Sequence, residues 1–234
     1  MFKHKIYAVA LGILLTTNQY AFSGECATGT APSAGCTVGV DDTTYTMTGN
    51  ITPASGAEGI EFEVNSDGNT INLTGNITTT GSTAYGYYLS QSDSNTNTII
   101  GNIRTDSAAS YGIHFNMSQS NNLTLTGNIS TEGAAANGLF ISGSDNNTFT
   151  INGNISTEGS SARGIYLSSA DSNDLTMNGN ISTSGSSAHG FHLQGGLQVS
   201  HLLILEPYQP LRPVLLVSIL REVLLLPLIT AKVD

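Results

Sequence analysis

A five-residue unit, Gly-Asn-Ile-Ser-Thr or a near variant, begins at Gly49, Gly75, Gly101, Gly127, Gly153 and Gly179, a spacing of 26 residues each time. A fixed period of roughly 20–50 residues marks a solenoid, in which each unit covers the apolar face of the next and none stands alone. A chain with only 10% charged residues, no Trp, and many Gly, Ser, Thr and Asn could also be disordered. Disorder, however, does not put apolar residues at fixed positions of a repeat.

Within the unit Gly153 to Asn178, three short segments alternate apolar with small or polar residues, as half-buried strands do. They are Ile165-Tyr166-Leu167, Leu175-Thr176-Met177 and, after the next Gly-Asn bend, Asn180-Ile181-Ser182-Thr183. Gly, Ser, Asp and Asn fill the turns between them, and no segment has a helical period. The fold class this predicts is all-β, a right-handed parallel β-helix with 26-residue coils. Four inward columns follow: Ile51 to Ile181, Met47 to Met177, Tyr87 to Phe191 and Leu89 to Leu193. Equivalent positions of neighbouring coils lie about 4.8 Å apart, so like stacks on like. Burying four large apolar side chains per coil contributes on the order of 6–12 kcal/mol before entropy is subtracted.

The Asn of each bend (Asn50, Asn76, Asn102, Asn128, Asn154, Asn180) is expected to form a structural ladder, each amide bonded to the next. That explains the spacing better than glycosylation of the recurring Asn-Ile-Ser/Thr does. The first repeat departs from the period. Gly59, Ile60 and Phe62 come one position early, and an extra residue around Gly68 restores the register.

Tyr88, His114, Phe140, Tyr166 and His192 face outward in one column, either as rings stacked between coils or as a binding stripe. The two histidines stand too far apart to share a metal. Asp67, Asp93, Asp145 and Asp171 share a turn position with Gln119, and Asn69, Asn95, Asn121, Asn147 and Asn173 lie two residues on. A calcium ion between coils would relieve the carboxylate repulsion, but solvent-facing Asx turns are the simpler expectation, and no cofactor is called for. Thr46, Thr98, Thr124, Thr150 and Thr176 form a further outward column beside Thr48, Thr74 and Thr126. Interruptions at Asn72, Ile100, Asn152 and Asn178 make ordinary strand residues a better reading than an ice-binding array. No phosphate loop, Ser/His/Asp set or His/Cys cluster is present. Glu61 and Glu63, two residues apart, are a weak basis for a polysaccharide-acting enzyme.

The net charge of −10 leaves no basic stripe for nucleic acid. Residues 1–23 read as a secretory leader, with Lys3 and Lys5, an apolar stretch from Ile6 to Leu15, and Ala21 and Ser23 before the cleavage point. In an oxidising compartment Cys26 and Cys36 are expected to form a disulfide within an N-terminal cap spanning 24–48, ahead of repeats spanning 49–196. From 197 to 234 the chain turns Leu- and Pro-rich and loses the period. Glu206-Pro207-Tyr208-Gln209-Pro210 is encodable by bases that, read one base earlier, give Gly-Thr-Ile-Ser-Thr. The tail is therefore expected to be an out-of-frame reading of further repeats; a genuine apolar cap is the alternative.

An export leader followed by Gly/Ser/Thr/Asn-rich repeats of this type resembles the passenger region of bacterial autotransporters. The resemblance covers residues 24 to about 196 and is one of pattern. It implies a β-helix on the cell surface or secreted, acting in adhesion or display without catalysis. Its partner would be a host or cell-surface protein or glycan. The family's C-terminal membrane β-barrel has no counterpart here, and Lys232-Val233-Asp234 does not end as such barrels do. A missing translocator barrel is expected downstream, and the periplasm is the location if there is none. A polysaccharide-acting β-helix enzyme is the alternative, and a structural or ice-binding solenoid the third reading.

Overall fold

The same 26-residue offset that recurs in the sequence becomes the hydrogen-bonded register between strands. In the computed structural model, which describes residues 24–195 and the backbone of 199–205, Ile103 pairs with both Ile77 and Ile129, and Leu125 with both Ile99 and Ile151. Residues 1–23, expected to be a leader, and the segment 206–234, with its frame reading, lie outside the described residues.

All strand pairing is parallel and falls into three sheets, an all-β parallel solenoid of about six turns with no helix among the described residues. One 8-stranded sheet runs through Ile60–Phe62, Tyr87–Ser90, Ile113–Asn116, Leu139–Ser142, Arg163–Ser168 and His189–Gln194; we call it the ring sheet. A 5-stranded short sheet contains Ile77–Thr79 through Ile181–Thr183. The second 8-stranded sheet, the threonine sheet, runs from Gly29–Thr30 through Thr96–Ile100 and Asn122–Thr126 to Val199–Leu205. Alternation along each strand turns one set of side chains inward, so the bends, not a second layer, close the core. The large residues of the four expected columns are buried from Ile51 through Met177; at the last full coil Ile181 and Phe191 are partly buried, and Leu193, expected inward, is exposed because the described side chains end there.

A fifth inward column, Tyr45, Ile71, Asn97, Leu123, Phe149 and Leu175, belongs to the same core. Its one polar member is matched from across the core: the buried Tyr87 hydroxyl donates to Asn97 Oδ1 at 2.7 Å. Burial also pushes the Tyr87 phenol well above its usual pKa, so it remains a donor. Tyr87→Phe should therefore cost about 1–3 kcal/mol, because it leaves a buried amide oxygen without its donor. Tyr87→Phe with Asn97→Leu should recover most of that loss in a denaturant melt.

Polar ladders run beside the apolar columns. In the bend ladder, Asn50 Oδ1 accepts from the Asn76 backbone N–H (2.9 Å), and the same step repeats to Asn180. The link is thus side chain to backbone, not amide to amide. The Asn69–Asn173 column corrects the expectation of solvent-facing turns, since all five residues are buried. Asn121 Oδ1 accepts from the Asn95 N–H (2.8 Å), while its Nδ2 donates to Ser92 O and Gln119 O. At this corner the amide bonds backbone groups that no sheet reaches, which is why Asn is needed inside. Carboxylates of the Asp column accept backbone N–H groups too, Asp67 from Asp93 and Asp93 from Gln119.

Two further expectations are corrected. Phe62 pairs with Leu89, yet the Ser66 N–H donates to Ser92 Oγ, so the extra residue of the first repeat lies between Phe62 and Ser66 and not around Gly68. At the other end the pattern does not stop at Gly196. Val199–Leu205 adds a strand to the threonine sheet, in register with Asn173–Asn178 after a bulge at Asn173/Asp174. At the N-terminus, Cys26 and Cys36 are disulfide-bonded across a shorter coil in which Gly24 pairs with Cys36 and Gly29 with Met47.

Candidate binding face

In each coil of the ring sheet the second residue after Gly86, Gly112, Gly138 or Gly164 faces outward, which places Tyr88, His114, Phe140 and Tyr166 directly above one another. The rings stack nearly parallel: Tyr88 on His114 at 5.1 Å and 19°, His114 on Phe140 at 4.8 Å and 10°, Phe140 on Tyr166 at 4.7 Å and 6°. His192 continues the column but tilts, at 64° to Tyr166.

A second column, three residues earlier in each coil, escapes detection in the sequence because its members differ: Glu58, Tyr85, Tyr111, Asn137, Arg163 and His189. Tyr85 stacks on Tyr111 at 5.1 Å, and both meet His114 in T-shaped contacts at 82° and 86°. The Arg163 guanidinium lies 4.3 Å from the centre of the Tyr166 ring, a cation–π contact. Four rings therefore enclose His114. It is only 8% exposed, and neither ring nitrogen has a hydrogen-bond partner. Burial lowers its pKa to about 4, so the imidazole is neutral near pH 7. Burial, with Tyr111, Tyr88 and Glu58 nearby, pushes Tyr85 up to about 12.

The face has unlike ends. At the N-terminal end Glu61 takes the place of Tyr88 and Glu58 that of Tyr85. Burial, then Glu58 and Glu63, raises the Glu61 carboxyl to about 6. At the C-terminal end stand Arg163, His189 and His192. Burial, Arg163 and His189 together lower His192 from its usual value. Among the described residues the only ion pairs are those of Arg104 with Asp106 and Glu132, so neither charged end is neutralised from within.

Metal chemistry finds little support in the donor set. Cys26 and Cys36 are consumed by each other, Met47 is buried, and the His114 nitrogens are enclosed. His189 and His192 lie with ring centroids 5.3 Å apart, and among the described residues no three His, Cys, Asp or Glu side chains converge. Copper seeks thiolate, thioether or imidazole ligands in a defined geometry, and these residues do not assemble one.

The family described as periplasmic copper-binding protein (NosD) matches residues 16–198. No curated protein and no solved structure matches the chain.

Proposed function

The chain belongs to the NosD family, and on that premise we propose that it is an exported, non-catalytic β-helix that binds a partner through its ring face. This is the adhesion or display role of an autotransporter-like passenger, exercised at the cell surface, as a secreted protein or in the periplasm. The observation that carries it is the continuous outward column from Tyr88 to Tyr166, bounded by unpaired acids at one end and a cation at the other. Aromatic and Arg side chains held rigidly on a sheet contribute contact area at low entropic cost.

Beads carrying the purified chain should adhere to cultured epithelial cells. The Phe140→Ala/Tyr166→Ala variant, if it still melts cooperatively, should lose at least about tenfold of that adhesion, as expected when two anchor residues go. Wild-type beads that adhere no better than albumin-coated beads would contradict the reading.

The family's printed name raises copper binding, and the donor set argues against it in the described residues. Titration with Cu(I) against a chromogenic chelator should reveal no site tighter than micromolar, and chelator treatment should leave the melting temperature unchanged. An enzyme acting on polysaccharide draws on one observation, a Glu61 carboxyl held near 6 beside Glu58 and Glu63, the state a general acid requires. Release of reducing ends from plant or bacterial polysaccharides, abolished by Glu61→Gln, would favour it.

A further inference from the structure

Stacking determines which parts of the rings a partner can touch. With near-parallel rings at 4.7–5.1 Å along the column, each face is turned toward the next ring. At the C-terminal end the Arg163 guanidinium lies over the Tyr166 ring, and Tyr85 flanks the step between Tyr88 and His114 in T-shaped contacts with both. A sugar binds an aromatic side chain by laying its C–H face on the ring face, and here the faces of His114 and Phe140 are turned to neighbouring rings on both sides. What points outward is ring edge, carrying positive quadrupole charge, together with phenol oxygen. Such a surface suits carbonyl oxygens and small side chains of another polypeptide, as Tyr-rich paratopes do.

Charge narrows the partner further. Glu58, Glu61 and Glu63 have no cation among the described residues, and Arg163 has no carboxylate; its Nε is buried without a partner. Four coil steps separate Glu58 from Arg163, about 19 Å at the spacing of parallel strands. An extended chain covers that distance in about six residues.

We propose that the ring face takes an extended polypeptide segment lying along the solenoid axis, basic where it meets Glu58 and Glu61 and acidic, about six residues away, where it meets Arg163. This rests on the reading of the ring face as a binding surface and names the partner's chemistry. A glycan fits less well, because the column turns ring faces toward one another and ring edges outward, and nucleic acid fails for want of positive charge.

The test pans a phage-displayed random dodecapeptide library on the purified chain and applies the same chain to a glycan array. Enriched peptides should carry Lys or Arg and Asp or Glu about six residues apart. A synthetic peptide of that sequence should bind at least about tenfold more weakly to Glu58→Lys/Glu61→Lys and to Arg163→Glu, the loss typical of a desolvated charge pair. Both variants alter partly exposed positions, and their melting curves report whether they fold. Absence of enrichment, enrichment without that charge pattern, or binding unaffected by the charge variants overturns the proposal. Glycan binding that Phe140→Ala/Tyr166→Ala removes would overturn it too, while leaving the ring face as the binding surface.

Discussion

Replacing Gly127 with Ala should break the stack at its middle, at a cost above about 4 kcal/mol. Gly127 holds φ at +150°, a conformation that L side chains rarely adopt, and a Cβ there would overlap the Gly101 carbonyl oxygen of the preceding coil. Backbone strain alone costs about 1–3 kcal/mol. The larger part comes from displacement, because the Gly101 carbonyl sits in a coil whose neighbours on both sides are in register. The bend has no flexible side chain to yield, so the coils must separate and expose Ile103 and Ile129. Gly143 is the control. Its φ is +55°, but the nearest heavy atom to an added Cβ is Met117 Cγ at 3.4 Å. The equivalent positions of other coils are Gln91, Met117 and Ser169, all non-glycine at positive φ. Gly143→Ala should therefore cost no more than about 1 kcal/mol. Chemical denaturation followed by far-UV circular dichroism separates the two outcomes.

A second large effect is acid destabilisation through His114. Its pKa is about 4 in the folded chain and near 6.5 when exposed, so the unfolded chain binds more protons between those values. Stability should fall as pH drops from about 6.5 to 4, by roughly 3 kcal/mol for a group this deeply enclosed. The groups facing the imidazole are the rings of Tyr85, Tyr88, Tyr111 and Phe140, and burial raises the Tyr85 and Tyr111 phenols above their usual range. Glu61, one coil beyond Tyr88, acts with opposite sign: its raised pKa means the folded chain binds the proton first, so that contribution falls as pH rises through 4.5 to 6. Measuring the profile in Glu61→Gln removes that opposing contribution, and Glu58, raised by burial, and His192, lowered by it, stay constant between the variants compared. In that background His114→Phe should flatten the acid limb and raise stability at pH 7 by about 1–2 kcal/mol, because a ring without polar atoms replaces two buried nitrogens that have no partner. An unchanged acid limb would show that the imidazole is not enclosed as described.

Much of this fold is legible because a solenoid turns every long-range contact into the same sequence separation. Ile103 meets Ile129 for the reason that it lies 26 residues before it, so listing columns amounts to listing contacts. Reading fails where a position changes character from coil to coil. Asn97 hides the fifth inward column, since an amide among Ile71, Leu123 and Phe149 looks like an outward residue until Tyr87 is found across the core. Tyr85 and Tyr111 share a column with Glu58, Asn137 and Arg163, so half of the ring face carries no periodic signal. Asn121 and Asn147 sit among Ser and Asp in what reads as a turn, and only the corner geometry shows that their amides point inward to satisfy backbone. The outward column of Tyr88, His114, Phe140 and Tyr166 was readable as a column, but not the stacking that turns edges, rather than faces, to a partner.

The most direct test of the stack is a set of pulsed electron–electron distances between spin labels on the outward threonines of the threonine sheet. Thr46 lies in the column that holds Thr124, Thr150 and Thr176 in successive coils. The backbone separations from Thr46 should rise in equal steps, about 14, 19 and 24 Å at 4.8 Å per coil, each with a narrow distribution. Distances that do not increase by one constant step per 26 residues, or that are broad for all three pairs, would contradict the stacked register on which the ring face depends.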